Sequence, residues 1–118
     1  MISEKSKLIF IIMNELKNLF EEIPEVLNDE FFEELITTKN FKLERIVSDG
    51  HSSPDNFWFD QEMNELVILF SGSAQLSYDN GQRFELNPGD YLIIPAHQKH
   101  RVEKTDLFEK TFWLALHY

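Results

Sequence analysis

The sequence predicts an all-β domain, a sandwich or a barrel, preceded by one or two short helices. From Phe41 onward the pattern becomes that of β-strands: apolar and polar residues begin to alternate in "FKLERIV", "ELVILF" is a continuous apolar run, and short turn sequences separate the strands. No helix-period stretch interrupts them, so seven or eight short strands are expected. The chain has 118 residues, the usual size of one domain, and no linker, repeat or low-complexity block divides it.

The helical signals lie before Phe41. A first amphipathic helix is predicted from five apolar residues at alternating spacings of three and four: Ile9, Ile12, Leu16, Leu19 and Ile23. Pro24 is expected to end it. A second helix is predicted from Asn28, a capping residue, to about Thr37, because apolar pairs four residues apart follow the cap. We therefore expect residues 1–40 to form a helical segment that packs on a barrel of residues 41–118.

The strands and their turns follow in order along the second part of the chain. The predicted strands are "FKLERIV", "ELVILF", "AQLSY", "RFEL", "DYLIIP", "HRVEK" and "KTFWLALHY". Asn80-Gly81 predicts a two-residue hairpin turn between "AQLSY" and "RFEL". Pro88-Gly89 predicts a type II turn before "DYLIIP".

Composition and charge exclude several classes of function. The formal net charge is -10 and the pI is near 4.7, and no cluster of Lys and Arg is present. We therefore expect neither nucleic acid nor an anionic membrane surface as a partner. The absence of cysteine excludes disulfides, a thiolate nucleophile and a zinc-thiolate site, and it fits a reducing compartment.

The first residues carry no complete targeting signal. Lys5 and Lys7 precede an apolar run, but that run extends only from Leu8 to Met13 and no small-residue cleavage site follows. A cytoplasmic protein is therefore expected. Met13 is a candidate alternative start, which would leave residues 1–12 as an extension.

Two motifs carry a family resemblance. Glu65 and Gly72 are spaced E-x6-G, and Gly89, Pro95 and His100 match most of G-x5-P-x-G-x2-H. The stretch "ELVILFSGSAQLSYDNGQRFELNPGDYLIIPAHQKHRV" thereby resembles the cupin superfamily, small RmlC-like proteins with one domain. The resemblance implies a double-stranded β-helix, or jelly-roll, barrel. The histidine pair of the first motif is missing, so the subgroup has a degenerate first motif.

The resemblance also implies a metal site, because cupins draw metal ligands from the motif histidines and glutamate. Glu65 and His100 match two of these ligands, and His97 and Asp60 are candidates to complete the shell around Fe, Mn, Zn or Ni. His97 stands where the motif has its second glycine. The two missing histidines correspond either to Trp58 and Asp60, with a four-residue spacer, or to Phe59 and Gln61, with three.

The expected ligand pocket lies at the mouth of the barrel, with candidate residues Trp58, Gln61, Tyr91 and His51. The leading interpretation is a small cupin that binds a divalent metal and a small organic ligand, with dioxygenase- or isomerase-type chemistry. The alternatives are a non-catalytic metabolite-binding or sensing cupin without metal and a purely structural dimer. A homodimer is expected because an exposed sheet edge invites self-association. His117 is interpreted as structural.

Overall fold

The computed structural model describes residues 15–118, which form eight β-strands in two antiparallel sheets. The strands are β1 Phe31–Thr37, β2 Lys42–Ser48, β3 Glu65–Ser71, β4 Ala74–Tyr78, β5 Arg83–Leu86, β6 Tyr91–Ile94, β7 His100–Thr105 and β8 Thr111–His117. One sheet has the order β1-β2-β8-β3-β6 and the other β5-β4-β7. The all-β jelly-roll prediction is confirmed. In the described part of the chain, no helix is long and apolar enough to cross a membrane.

The core lies between the two sheets and is built from alternate residues of the strands. The larger sheet contributes inward residues such as Val67, Leu69 and Trp113, and the smaller sheet contributes Leu76. All of these side chains are almost fully buried. The seven strands predicted from Phe41 onward are all present, because period-two alternation is a local property that survives in the folded barrel.

The hairpin between β4 and β5 is confirmed, but its turn differs from the predicted one. The N–H of Gly81 donates to the carbonyl of Tyr78, and the Tyr78 N–H donates to the carbonyl of Gln82. Gly81 has a φ of 91°, whereas Asn80 is not in the left-handed region. The loop therefore has three residues and ends in a left-handed glycine, since a two-residue type I′ turn would require positive φ at both centres.

The turn at Pro88-Gly89 has the predicted geometry. Asp90 donates its N–H to the carbonyl of Asn87, and Gly89 has a φ of 94°. A positive φ at the third position is the mark of a type II turn.

The second predicted helix is wrong, because Phe31–Thr37 is strand β1. It pairs antiparallel with β2, from Phe31 opposite Val47 to Thr37 opposite Lys42, with an irregularity between Glu34 and Ile36. Apolar pairs four residues apart also share a face of a strand, so their spacing does not distinguish the two structures. Pairing with the free edge of β2 decides for the strand.

The first predicted helix is wrong over its described part, residues 15–23, and its remainder lies outside the described residues. The buried guanidinium of Arg45 donates to the carbonyls of Leu19, Glu21 and Glu22 at 3.0, 2.6 and 3.2 Å. These carbonyls would otherwise accept hydrogen bonds within a helix. Residues 15–23 consequently run as turns and bends over the outer face of the larger sheet, where Phe20 contacts Phe112 edge-on at 5.0 Å.

Candidate functional site

A cavity lies inside the barrel, between the two sheets. Six polar side chains line it, set among aliphatic and aromatic residues: Glu30, Glu44, Gln61, Glu65, His100 and His117. The space open to the centre of a water molecule is about 70 Å³. Roughly 10–15 Å³ is enough for one water, so the cavity has room for about five waters or a ligand of similar size.

His100 and Glu65 form the first polar pair of the cavity. Both begin a strand, β7 and β3 respectively, and each is 6% exposed. His100 Nδ1 lies 2.8 Å from the carbonyl of Gln98, which makes Nδ1 the donor and leaves Nε2 facing Glu65 Oε1 at 3.4 Å. Burial lowers the pKa of His100, but the attraction of the Glu65 carboxylate and the hydrogen bond to the Gln98 carbonyl outweigh burial and raise the pKa above its ordinary value.

The segment before β3 shows which residues take the places of the missing histidines. Phe59 and His100 form an antiparallel bridge, and their rings stack with centroids 5.7 Å apart. Phe59 and Gln61 line the cavity, so the three-residue spacer is the correct alignment of the motif. Trp58 lies on the opposite side, where its ring sits 5.9 Å from the Arg101 guanidinium. Adjacent residues of this extended segment thus point to opposite sides, which places Phe59 rather than Trp58 in the cavity.

His97 and Asp60 form a separate pair on the rim. The N–H of Gln98 donates to the carbonyl of Pro95, and His97 at the turn's third position has a φ of 63°. The turn aims His97 Nδ1 at Asp60 Oδ1, 2.9 Å away, and the side chains are 67% and 44% exposed. The four residues predicted as one metal shell therefore lie as two pairs, one buried and one exposed.

His117 and Glu44 form a second buried pair that sequence reasoning missed. His117 Nε2 lies 2.9 Å from Glu44 Oε1, and both residues line the cavity. His117 also stands directly opposite Glu65 in the pairing of β8 with β3, which places their Cβ atoms about 5 Å apart. Trp113 and His117 are on the same face of β8, but the sequence alone does not show that this face is the inner one.

The other candidate pocket residues lie outside the cavity, apart from Gln61. Tyr91 is 67% exposed on the edge strand β6. His51 accepts a hydrogen bond at Nδ1 from the N–H of Asp49, and its carbonyl accepts one from the Thr105 hydroxyl. Glu30, which was not predicted, lines the cavity instead, and burial raises the pKa of its carboxyl.

The residues at the four family ligand positions do not fit a typical cupin metal. These positions hold Phe59, Gln61, Glu65 and His100, and only the last two are common ligands. The Phe59 ring, which has no lone pair to offer, stacks on the imidazole of His100. Within residues 15–118, no three His, Asp or Glu side chains are grouped as a metal site would require.

Comparison with known proteins identifies the family. The model for the cupin domain, Cupin_2, matches residues 45–112. The chain belongs to the cupin family. A crystal structure from Ralstonia eutropha JMP134, of a protein proposed to be a mannose-6-phosphate isomerase, shares 42% sequence identity with this cupin. The match covers 87% of this chain and 96% of that one, with a TM-score of 0.83.

More distant structures share the fold alone. A cupin superfamily protein from Desulfitobacterium hafniense DCB-2 is 21% identical over 80% of this cupin and 82% of its own chain, with a TM-score of 0.66. The polyketide cyclase RemF from Streptomyces resistomycificus is 22% identical over 76% and 65%, with a TM-score of 0.64. No curated protein matches the sequence.

Proposed function

We propose that this cupin binds a small polar organic ligand in its barrel cavity through two imidazole–carboxylate pairs. The observation that carries the proposal is the position of the buried pairs His100–Glu65 and His117–Glu44 in the lining of one cavity. Buried polar groups are costly unless they are satisfied. Nevertheless, within residues 15–118, the buried Oε1 atoms of Glu65 and Gln61 have no hydrogen-bond partner. A bound ligand would supply one.

The reaction class that this arrangement supports is proton transfer, as in an isomerase. A base and an acid that act on the same ligand need different protonation states, which different environments provide. His100 is held by the Gln98 carbonyl and faces Glu65, whereas His117 faces Glu44. A ligand that contacts both imidazoles would meet two groups that can accept or donate a proton. The sensing alternative shares the binding step and predicts no turnover.

The binding proposal is tested by replacing the inner pair with apolar residues. The double variant Glu65→Leu/His100→Leu should remain folded, since apolar replacement of a whole buried pair is often neutral or stabilising. Its melting temperature should no longer rise with small polar compounds that stabilise the wild type. The matched control is Asp60→Asn/His97→Asn, which alters the exposed pair. The proposal would be refuted if no compound raised the melting temperature of the wild type, or if the compounds raised it equally in the wild type and in the Leu double variant.

The predicted divalent metal, and with it dioxygenase chemistry, is the competing proposal. Its support is the family resemblance together with the convergence of Glu65 and His100. Elemental analysis of untagged protein purified without chelator decides between the two. Near-stoichiometric Fe, Mn, Zn or Ni that is lost in His100→Ala would replace the metal-free proposal.

We also propose a homodimer. Strands β1 and β6 are the free edges of the larger sheet, and their side chains include the half-exposed Phe32, Ile36 and Ile93. Unpaired edges with apolar side chains favour pairing with a second chain. Sedimentation velocity at micromolar concentration should show a dimer, and a monomer would contradict the proposal.

A further inference from the structure

We infer that the ligand of the barrel cavity is a small organic cation that donates hydrogen bonds, of the amine or amidine class. The inference rests on the proposed function, since it names the class of compound that the same cavity takes. It follows from the unsatisfied acceptors, the charge, the aromatic wall and the size of the cavity.

The unsatisfied atoms of the cavity are acceptors. Glu65 Oε1 and Gln61 Oε1 are buried without a hydrogen-bond partner in residues 15–118, and the His100 contact to Glu65, at 3.4 Å, is longer than a normal hydrogen bond. Glu65 is 6% exposed and lines the cavity. A ligand that satisfies these oxygens must bring N–H or O–H groups.

The charge of the lining also favours a cation. Glu30, Glu44 and Glu65 supply three carboxyl groups, against the two imidazoles of His100 and His117. With all five groups charged, the lining carries one net negative charge, and neutral imidazoles make it more negative. Protonation of Glu30 brings the sum only to zero. The lining therefore offers no net positive charge to an anion.

No strong cation of the described chain is available to bind an anion in the cavity. Lys and Arg are absent from the lining formed by residues 15–118. The guanidinium of Arg45 is engaged with Glu33 and with backbone carbonyls of the covering segment. Arg101 donates to the carbonyls of Ser53 and Pro54. A phosphate dianion would meet three carboxyl groups and no Lys or Arg in the lining, so a sugar phosphate is not the expected ligand.

The aromatic wall and the volume complete the inference. Phe59 and Trp113 both line the cavity, and aromatic ring faces attract organic cations. The volume of about 70 Å³ suits a compound of roughly five heavy atoms.

Acetamidinium, acetamide and acetate form a matched test series, because all three have four heavy atoms and similar shape but differ in charge and N–H donors. The chain has two tryptophans, and Trp113 lines the cavity whereas Trp58 does not. The Trp58→Phe variant therefore leaves Trp113 as the fluorescent reporter. Titration in the presence of EDTA should show acetamidinium binding with a Kd on the order of 1 mM, a plausible affinity for so small a ligand.

Acetamidinium should bind most tightly and acetamide less tightly. Acetate and inorganic phosphate should bind at least tenfold more weakly than acetamidinium. Glu65→Gln in the same background should weaken acetamidinium binding at least tenfold, while the control Glu85→Gln, whose side chain is exposed on β5, should not. Tighter binding of acetate or phosphate that depends on Glu65 would overturn the cation inference and leave the proposed function intact. Failure of acetamidinium to bind overturns the cation inference. If no compound of the small polar library raises the melting temperature either, the proposed function is overturned as well. Binding of Zn²⁺ or Mn²⁺ without EDTA, lost in Glu65→Gln, would assign the cavity to a metal ion instead.

Discussion

Replacing Gly72 by alanine should destabilise the barrel far more than the same change at Gly81. Gly72 ends the first family motif and has a φ of +85°. A Cβ added there would lie 2.7 Å from the Cα of Thr111, the fully buried first residue of β8. Gly81 in the β4–β5 turn has a φ of +91° and open space around its Cβ position. Both substitutions therefore strain the backbone, but only one forces β3 and β8 apart.

The expected magnitudes follow from that difference. The left-handed conformation costs an alanine about 1–2 kcal/mol at either position. The overlap with Thr111 adds about 1–3 kcal/mol at Gly72, since the contact is with backbone that cannot rotate away. The entropy that alanine removes from the unfolded chain is similar at both sites and cancels in the comparison. We expect Gly72→Ala to lower the free energy of unfolding by about 2 kcal/mol more than Gly81→Ala does.

Urea denaturation followed by tryptophan fluorescence measures both free energies of unfolding. The denaturant dependence should be unchanged, so that the midpoints report stability. If the two variants lose the same free energy of unfolding within about 0.5 kcal/mol, the reasoning is refuted. The close approach of β8 to Gly72 would then not destabilise the alanine variant. The result bears on the site, since the pairing of β3 with β8 sets Glu65 opposite His117.

Three further outcomes are expected. Because the pKa of His100 is raised in the folded state, the pair with Glu65 stabilises the protein fully below about pH 6.5, and this contribution is lost as pH rises through the raised pKa. Urea denaturation at several pH values should show that the free energy of unfolding falls less with rising pH in Glu65→Gln than in the wild type. An equal fall in both proteins would assign the pH dependence to other groups. His97→Gly should raise the free energy of unfolding by up to about 1 kcal/mol. Glycine relieves the strain of the left-handed φ, and the exposed pair with Asp60 that is lost contributes only about 0–1 kcal/mol. A large drop in the melting temperature would contradict this prediction. Arg45→Met should lower the free energy of unfolding by about 2–4 kcal/mol, because it leaves the buried carbonyls that Arg45 binds without a donor. A loss below about 0.5 kcal/mol in urea denaturation would show that the covering segment does not depend on Arg45.

The strands and turns of the barrel could be predicted because their signals are local. Alternation or a short apolar run marks each strand from β2 to β8, and Pro88-Gly89 marks its turn through the φ that each residue permits. The spacing of Glu65 and His100 within the family motifs likewise indicated the buried pair. The helix predicted over Phe31–Thr37 failed because its apolar spacing fits both structures, and only the free edge of β2 selects the strand.

The sequence by itself determined the all-β class and the positions of seven strands along the chain, and its family motifs indicated that Glu65 and His100 lie at one site. Only the tertiary structure decided which face of each strand lines the cavity. Strand β2 is buried on both faces over Arg45–Ser48, since the segment held by Arg45 covers its outer side, so alternation there does not reveal that Glu44 points inward. His117 reaches the same cavity because β8 lies between β2 and β3. The physical reason is that alternation fixes two faces relative to each other, whereas contacts between residues distant in sequence choose the inner one.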